Sequence, residues 1–173
     1  MSTRTAIFKE QEDGTFQGIY CHHDGYIEGV GRILNSFYQD PKDIQKVIDE
    51  RRGLSCLGVK PKVFYEYGNT RHRNLMFHDW QKFSLYVRDE YELYVAKSLE
   101  EIRLFEYMTL TDGDKVDGWL KKIDGNEVFI PFRGSDNNGY LYVQLRSGEW
   151  LVSIMNHNSD MTEFKSLSNY FSK

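Results

Sequence analysis

The chain has 173 residues, a formal net charge of −4 and only 3 Pro, so it supports one ordinary domain with a real core and is short for two. The acidic balance argues against generic nucleic-acid binding, and the lack of any low-complexity run excludes a disordered protein. No window approaches a membrane span, the N-terminus has no apolar signal core, and Cys21 and Cys56 form neither a disulfide framework nor a Cys-x-x-Cys pair, which together predict free thiols, no membrane partner and a cytoplasmic setting.

Thr3 to Lys9 and Thr15 to Cys21 are expected to form an antiparallel pair, because the linker Glu10 to Gly14 ends in the Asp-Gly hairpin signal. The second of these segments runs into His22-His23-Asp24-Gly25, a strong turn. Val30, Ile33, Leu34, Phe37 and Tyr38 then recur at helical spacing and predict an amphipathic helix with these five facing a sheet. Asp40-Pro41-Lys42-Asp43 opens a second helix by capping chemistry. Its stripe is Ile44, Val47 and Ile48, and Gly53 is its expected stop. Leu54 to Gly58 reads as an apolar link, Val63 to Tyr67 as a short strand and Gly68 to Asp79 as a loop.

Lys82 to Arg88 alternates as a strand, with Tyr91 to Ala96 expected to pair with it. Ser98-Leu99-Glu100-Glu101 has the capping-box pattern and predicts a short helix to about Leu104. Phe105 to Thr111, Val116 to Ile123, Glu127 to Phe132, Tyr140 to Arg146 and Glu149 to Met155 are strands separated by turn chemistry, a C-terminal meander. Thr162 to Phe171 spaces Phe164, Leu167, Tyr170 and Phe171 as a last amphipathic helix. The fold class is therefore α+β: one domain over 1–173, with an N-terminal hairpin, two consecutive helices and a C-terminal β-meander on an antiparallel sheet.

Chemistry concentrates at the strand-to-helix turn. His22, His23 and Asp24 carry proton-transfer chemistry if an imidazole meets the carboxylate, although adjacent strand residues face opposite ways. The plainer reading has one His filling the edge of the core and Asp24 organising the turn. Gly25, Gly29 and Gly31 permit close backbone approach, and unspent N–H groups there would suit a phosphate. Their spacing matches neither a dinucleotide fingerprint nor a phosphate loop. His72, His78, Asp79 and His157 lack helical metal-ligand spacing, so neither a metal nor a cofactor is expected.

Between Arg51 and Arg73 six bases (Arg51, Arg52, Lys60, Lys62, Arg71 and Arg73) face the single acid Glu66, while Asp89 to Glu127 carries 11 acids and five bases. This reads as two solvated faces of opposite sign or as an anion-facing patch. Tyr20, Tyr26, Tyr65, Tyr67, Tyr86, Tyr91 and Tyr94 either pack sheet edges or form a Tyr-rich recognition surface.

The string Ile19-Tyr20-Cys21-His22-His23-Asp24-Gly25-Tyr26, followed by Gly29-Val30-Gly31 and Asp40-Pro41, resembles a small phage and prophage domain of uncharacterised function. His23 stands where that group has Trp, and Ile27 where it has Pro. Tyr86 to Glu90, Glu106 to Leu110 and Gly118-Trp119 are similar to its later landmarks, so 1–120 is family-like and 121–173 an extension of a hairpin and a helix. The resemblance implies a phage accessory protein and transfers no catalytic residue. Such proteins are often counter-defence factors, which makes a host bacterial defence protein the first partner to expect and a small nucleotide the alternative, bound or hydrolysed at the His-Asp-Gly turn. The expected binding surface is His22, His23, Asp24, Gly25, Tyr26, Gly29, Gly31, Arg32 and Arg88.

Overall fold

Thr5–Glu10 (β1) and Phe16–Cys21 (β2) pair antiparallel, with Thr5 opposite Cys21 and Glu10 opposite Phe16. The local turn enforces this register: Gly14 takes φ 86°, and Asp13 Oδ1 accepts from the Thr15 N–H (2.9 Å) and hydroxyl (2.6 Å). Those bonds hold the Asp13 carboxyl below its usual range. The computed structural model describes residues 3–51, 53–64, 83–86, 93–103, 118–131, 139–156 and 161–171.

The chain continues through a π turn, Ile27–Gly31, that runs directly into α1 (Arg32–Phe37), and then α2 (Pro41–Asp49). Asp40 caps α2 by accepting from the Lys42 N–H at 2.9 Å, with Pro41 in the first turn, as its sequence predicts. The helix stops earlier than Gly53. Arg51 itself takes the left-handed conformation (φ 58°) after donating its N–H to the Ile48 carbonyl at 2.8 Å.

Next come β3 (Leu54–Cys56), β4 (Lys60–Phe64), β5 (Phe83–Tyr86), β6 (Tyr94–Ala96), α3 (Leu99–Arg103), β7 (Gly118–Ile123), β8 (Asn126–Pro131), β9 (Tyr140–Gln144), β10 (Trp150–Ile154) and β11 (Lys165–Ser166). The main sheet has the order β11-β10-β9-β1-β2-β3-β5-β4, with β6 also on β2; β7 and β8 form a separate two-stranded sheet. The α+β class holds, but the sheet is mixed. β9 runs parallel to β1 (Thr5 opposite Tyr140), β3 parallel to β2 (Cys21 opposite Leu54) and β4 parallel to β5.

Several local expectations change with this topology. Leu54–Cys56 is a strand rather than a link, because the end of β2 offers it an open edge. Tyr94–Ala96 pairs with β2 and not with the 83–86 strand, its Ala96 lying opposite Phe16. The expected meander is divided between two sheets, and its 105–111 strand lies outside the described residues. The expected final helix is a two-residue strand followed by one 3-10 turn, Leu167–Tyr170, because pairing with Leu151 and Val152 holds 165–166 extended.

β1 is central and covered on both faces. Ile7 joins Ile19, Tyr142, Val152 and the inner faces of α1 and α2, whereas Ala6 and Phe8 join Phe16, Ala96, Ile102, Leu141 and Val143. That two-sided burial explains the unbroken apolar run Ala6-Ile7-Phe8. Strands β9 and β10 are integral to this core. Buried Gln144 donates its Nε2 to the carbonyls of Tyr38 (2.9 Å), Gln39 (3.1 Å) and Gly148 (3.0 Å), and Trp150 Nε1 donates to Tyr38 O at 2.9 Å. The bonds to Tyr38 and Gln39 satisfy carbonyls left open where α1 ends.

Candidate functional site

The turn after β2 is fixed by its own backbone. His22 N–H donates to Leu54 O (2.9 Å), tying the strand end to β3. Asp24 then takes φ 60°, a left-handed conformation that Asp tolerates better than most residues. Gly25 is buried against the start of β1: its N–H donates to Thr3 O (2.8 Å) and its carbonyl accepts from the buried Tyr142 hydroxyl (2.7 Å). Burial pushes the Tyr142 phenol well above its usual range and keeps it a donor.

The three glycines bring the chain close to itself. A Cβ on Gly25 would lie 2.7 Å from Thr3 O, and one on Gly29 would meet Asp24 O inside 3.0 Å, a separation real Cβ atoms essentially never show. Gly31 packs beside Tyr142. The N–H groups of Gly25, Gly29 and Gly31 donate to Thr3 O, Tyr26 O and Tyr26 O, and Val30 N–H donates to Asp24 O at 2.7 Å. These N–H groups are thus spent on the chain's own carbonyls. A π turn at a helix start is a local feature that often accompanies a functional site.

The side chains separate into two groups. Tyr20 is buried, and its hydroxyl bonds His22 Nδ1; His23 stands edge-on to His22, with ring centroids 4.6 Å apart at 78°. Asp24 Oδ1 accepts from the Tyr26 phenol at 3.4 Å, so its hydrogen-bond partner is a tyrosine and not an imidazole. Cys21 Sγ contacts His23 O at 3.7 Å, and burial pushes its thiol far up, which leaves it a poor nucleophile. Arg32 is exposed, bonds Glu28 Oε2 through both Nε (3.0 Å) and Nη2, and lies over the Phe171 ring at 5.0 Å.

His23, Asp24, Tyr26, Glu28, Gly29 and Arg32 rim a cleft of about 450 Å³, with Val30, Ile33, Phe37, Cys56, Leu57 and Val59 as its other walls. His22, Gly25 and Gly31 are not among its lining residues. Tyr26 is 41% exposed and Phe37 53% exposed. Phe37 thus departs from the buried stripe assigned to it, while Val30, Leu34 and Tyr38 are buried as expected. Sequence reasoning missed Cys56, Leu57 and Val59, whose only signal is an apolar run without alternation.

Arg88, Arg52, Arg71, Arg73, His72, His78, Asp79, His157, Tyr65, Tyr67 and Tyr91 lie outside the described residues. Arg51 and Lys60 are exposed. Among the described residues no group of three His, Cys, Asp or Glu could hold a metal ion, and no helix is long and apolar enough to cross a membrane. Comparisons with family models, curated proteins and solved structures each found no match.

Proposed function

We propose that this chain is a non-enzymatic binding protein of phage type that inhibits a bacterial defence component by occupying a surface of it in the host cytoplasm. The observation that carries the reading is the exposure of Tyr26 and Phe37 beside an apolar cleft, on a turn held by backbone bonds. Aromatic side chains on a preorganised support are the usual anchors of protein interfaces. The phage-domain resemblance of Ile19 to Gly31 supplies the biological setting.

A small-nucleotide site has less support. The glycine N–H groups are spent on the chain's own carbonyls and Arg32 is paired with Glu28, so the described residues of the cleft form no phosphate cradle.

The test is expression of the chain in bacterial strains that each carry one defence system, followed by phage plating. Restored plaquing against one system, lost with Tyr26→Ala or Phe37→Ala at equal protein level, is the expected result. No restoration in any strain overturns the counter-defence reading. Direct capture of the affected system's component by purified wild type, and not by Phe37→Ala, checks that the effect is binding.

A further inference from the structure

The charges around the cleft are unequal in how they are satisfied. Glu28 holds Arg32, whose guanidinium also lies over Phe171, so that acid and that base offset each other. Asp24 has no such basic partner among the described residues. Among the described residues its carboxylate accepts only from the Tyr26 phenol, and 3.4 Å is longer than an ordinary O–H···O bond. The Asp24 charge beside it raises the Tyr26 phenol above its usual range.

Beside that carboxylate stands an apolar wall of Val30, Ile33, Phe37, Leu57 and Val59. Among the described residues the guanidinium at the cleft, Arg32, is already held by Glu28, which leaves a small anion little to bind, and a purely apolar ligand would leave Asp24 desolvated without a partner. A long basic side chain satisfies both parts: its head reaches the carboxylate and the face of Tyr26, while its methylene stem covers apolar surface.

We propose that the cleft receives a segment of the partner protein in which a Lys or Arg stands beside a bulky apolar residue, the cation bonding Asp24 and the apolar side chain seating against Ile33, Phe37 and Leu57. This rests on the protein-binding reading above and names the chemistry of the partner. Charge complementarity is the argument for this occupant, in keeping with the chain's net charge of −4.

The test pans randomised peptides displayed on a carrier against the immobilised full chain. Asp24→Asn serves as the matched variant, because Asn also tolerates φ near 60° and loses only the charge. Selected peptides are expected to couple Lys or Arg to a neighbouring Leu, Ile or Phe. They should bind Asp24→Asn about tenfold more weakly, the scale of one charge-assisted hydrogen bond, and weaken further with salt.

Peptides enriched without a basic residue, equal binding to Asp24→Asn, or no enrichment overturn the proposal. Self-association of the chain that disappears in Phe37→Ala assigns the cleft to a second copy and also overturns it. A defence component captured by wild type and Asp24→Asn alike, and lost only in Phe37→Ala, leaves the inhibitor reading standing while removing the basic-segment claim.

Discussion

Replacing Gly25 by Ala tests whether the turn is held from both sides as the structure describes. A Cβ at this position would sit 2.7 Å from Thr3 O and 2.8 Å from Thr5 Cβ. Neither neighbour can swing aside: the first is backbone, and Thr5 is itself fixed by donating its hydroxyl to Tyr140 O at 2.7 Å. Gly25 must therefore shift and give up its bond to Thr3 O (2.8 Å) or the one from the Tyr142 hydroxyl (2.7 Å). Overpacking costs about 1–3 kcal/mol, and a buried group left without its partner about 1–3 kcal/mol more. The lower unfolded-chain entropy of Ala returns roughly 0.4–1 kcal/mol. The net expectation is a loss of about 1–5 kcal/mol, which at a urea slope of about 2 kcal/mol/M lowers the midpoint by about 0.5–2.5 M. Equilibrium urea unfolding followed by tryptophan fluorescence measures it, with Gly139→Ala as the control, since nothing lies within 4 Å of a Cβ there. A Gly25→Ala midpoint equal to wild type, or an equal fall in the control, would refute the reasoning.

Tyr142→Phe removes the donor to the Gly25 carbonyl while leaving the ring in place, and should destabilise the chain by about 1–3 kcal/mol in the same assay, with no change expected in Phe37-dependent binding. The Tyr26 phenol should titrate above the usual tyrosine range because of the Asp24 charge, then return toward that range in Asp24→Asn, as read by near-ultraviolet absorbance. Its sign is that of a group raised in the folded state. The stability linked to it is present below the ordinary tyrosine value and is lost as pH rises through the raised folded value. A Tyr26 titration unmoved by Asp24→Asn would show that the two side chains are not in contact.

How far the candidate site was legible depended on the range of the contacts that build it. His23, Asp24, Tyr26 and Arg32 could be named because the turn places them together along the chain, and all four reach the cleft. The role foreseen for the glycines was partly different, since the backbone they bring close is the chain's own and not a ligand's. Leu57 and Val59 gave only the signal of an apolar run, because an apolar residue looks the same in sequence whether it fills a core or walls a cleft.

The sequence by itself determined the α+β class, the β1–β2 hairpin and the start of α2, since a Gly at positive φ, a capping Asp and a first-turn Pro act on neighbours a few residues away. Only the tertiary structure decided that β9 lies parallel against β1, that β3 takes the open end of β2, and that Phe37 faces out while Tyr38 is buried. Apolar periodicity states which side chains gain from burial; it does not state which distant segment will cover them. Thr5 and Tyr140 meet across 135 residues, and no local preference in either segment specifies that partner.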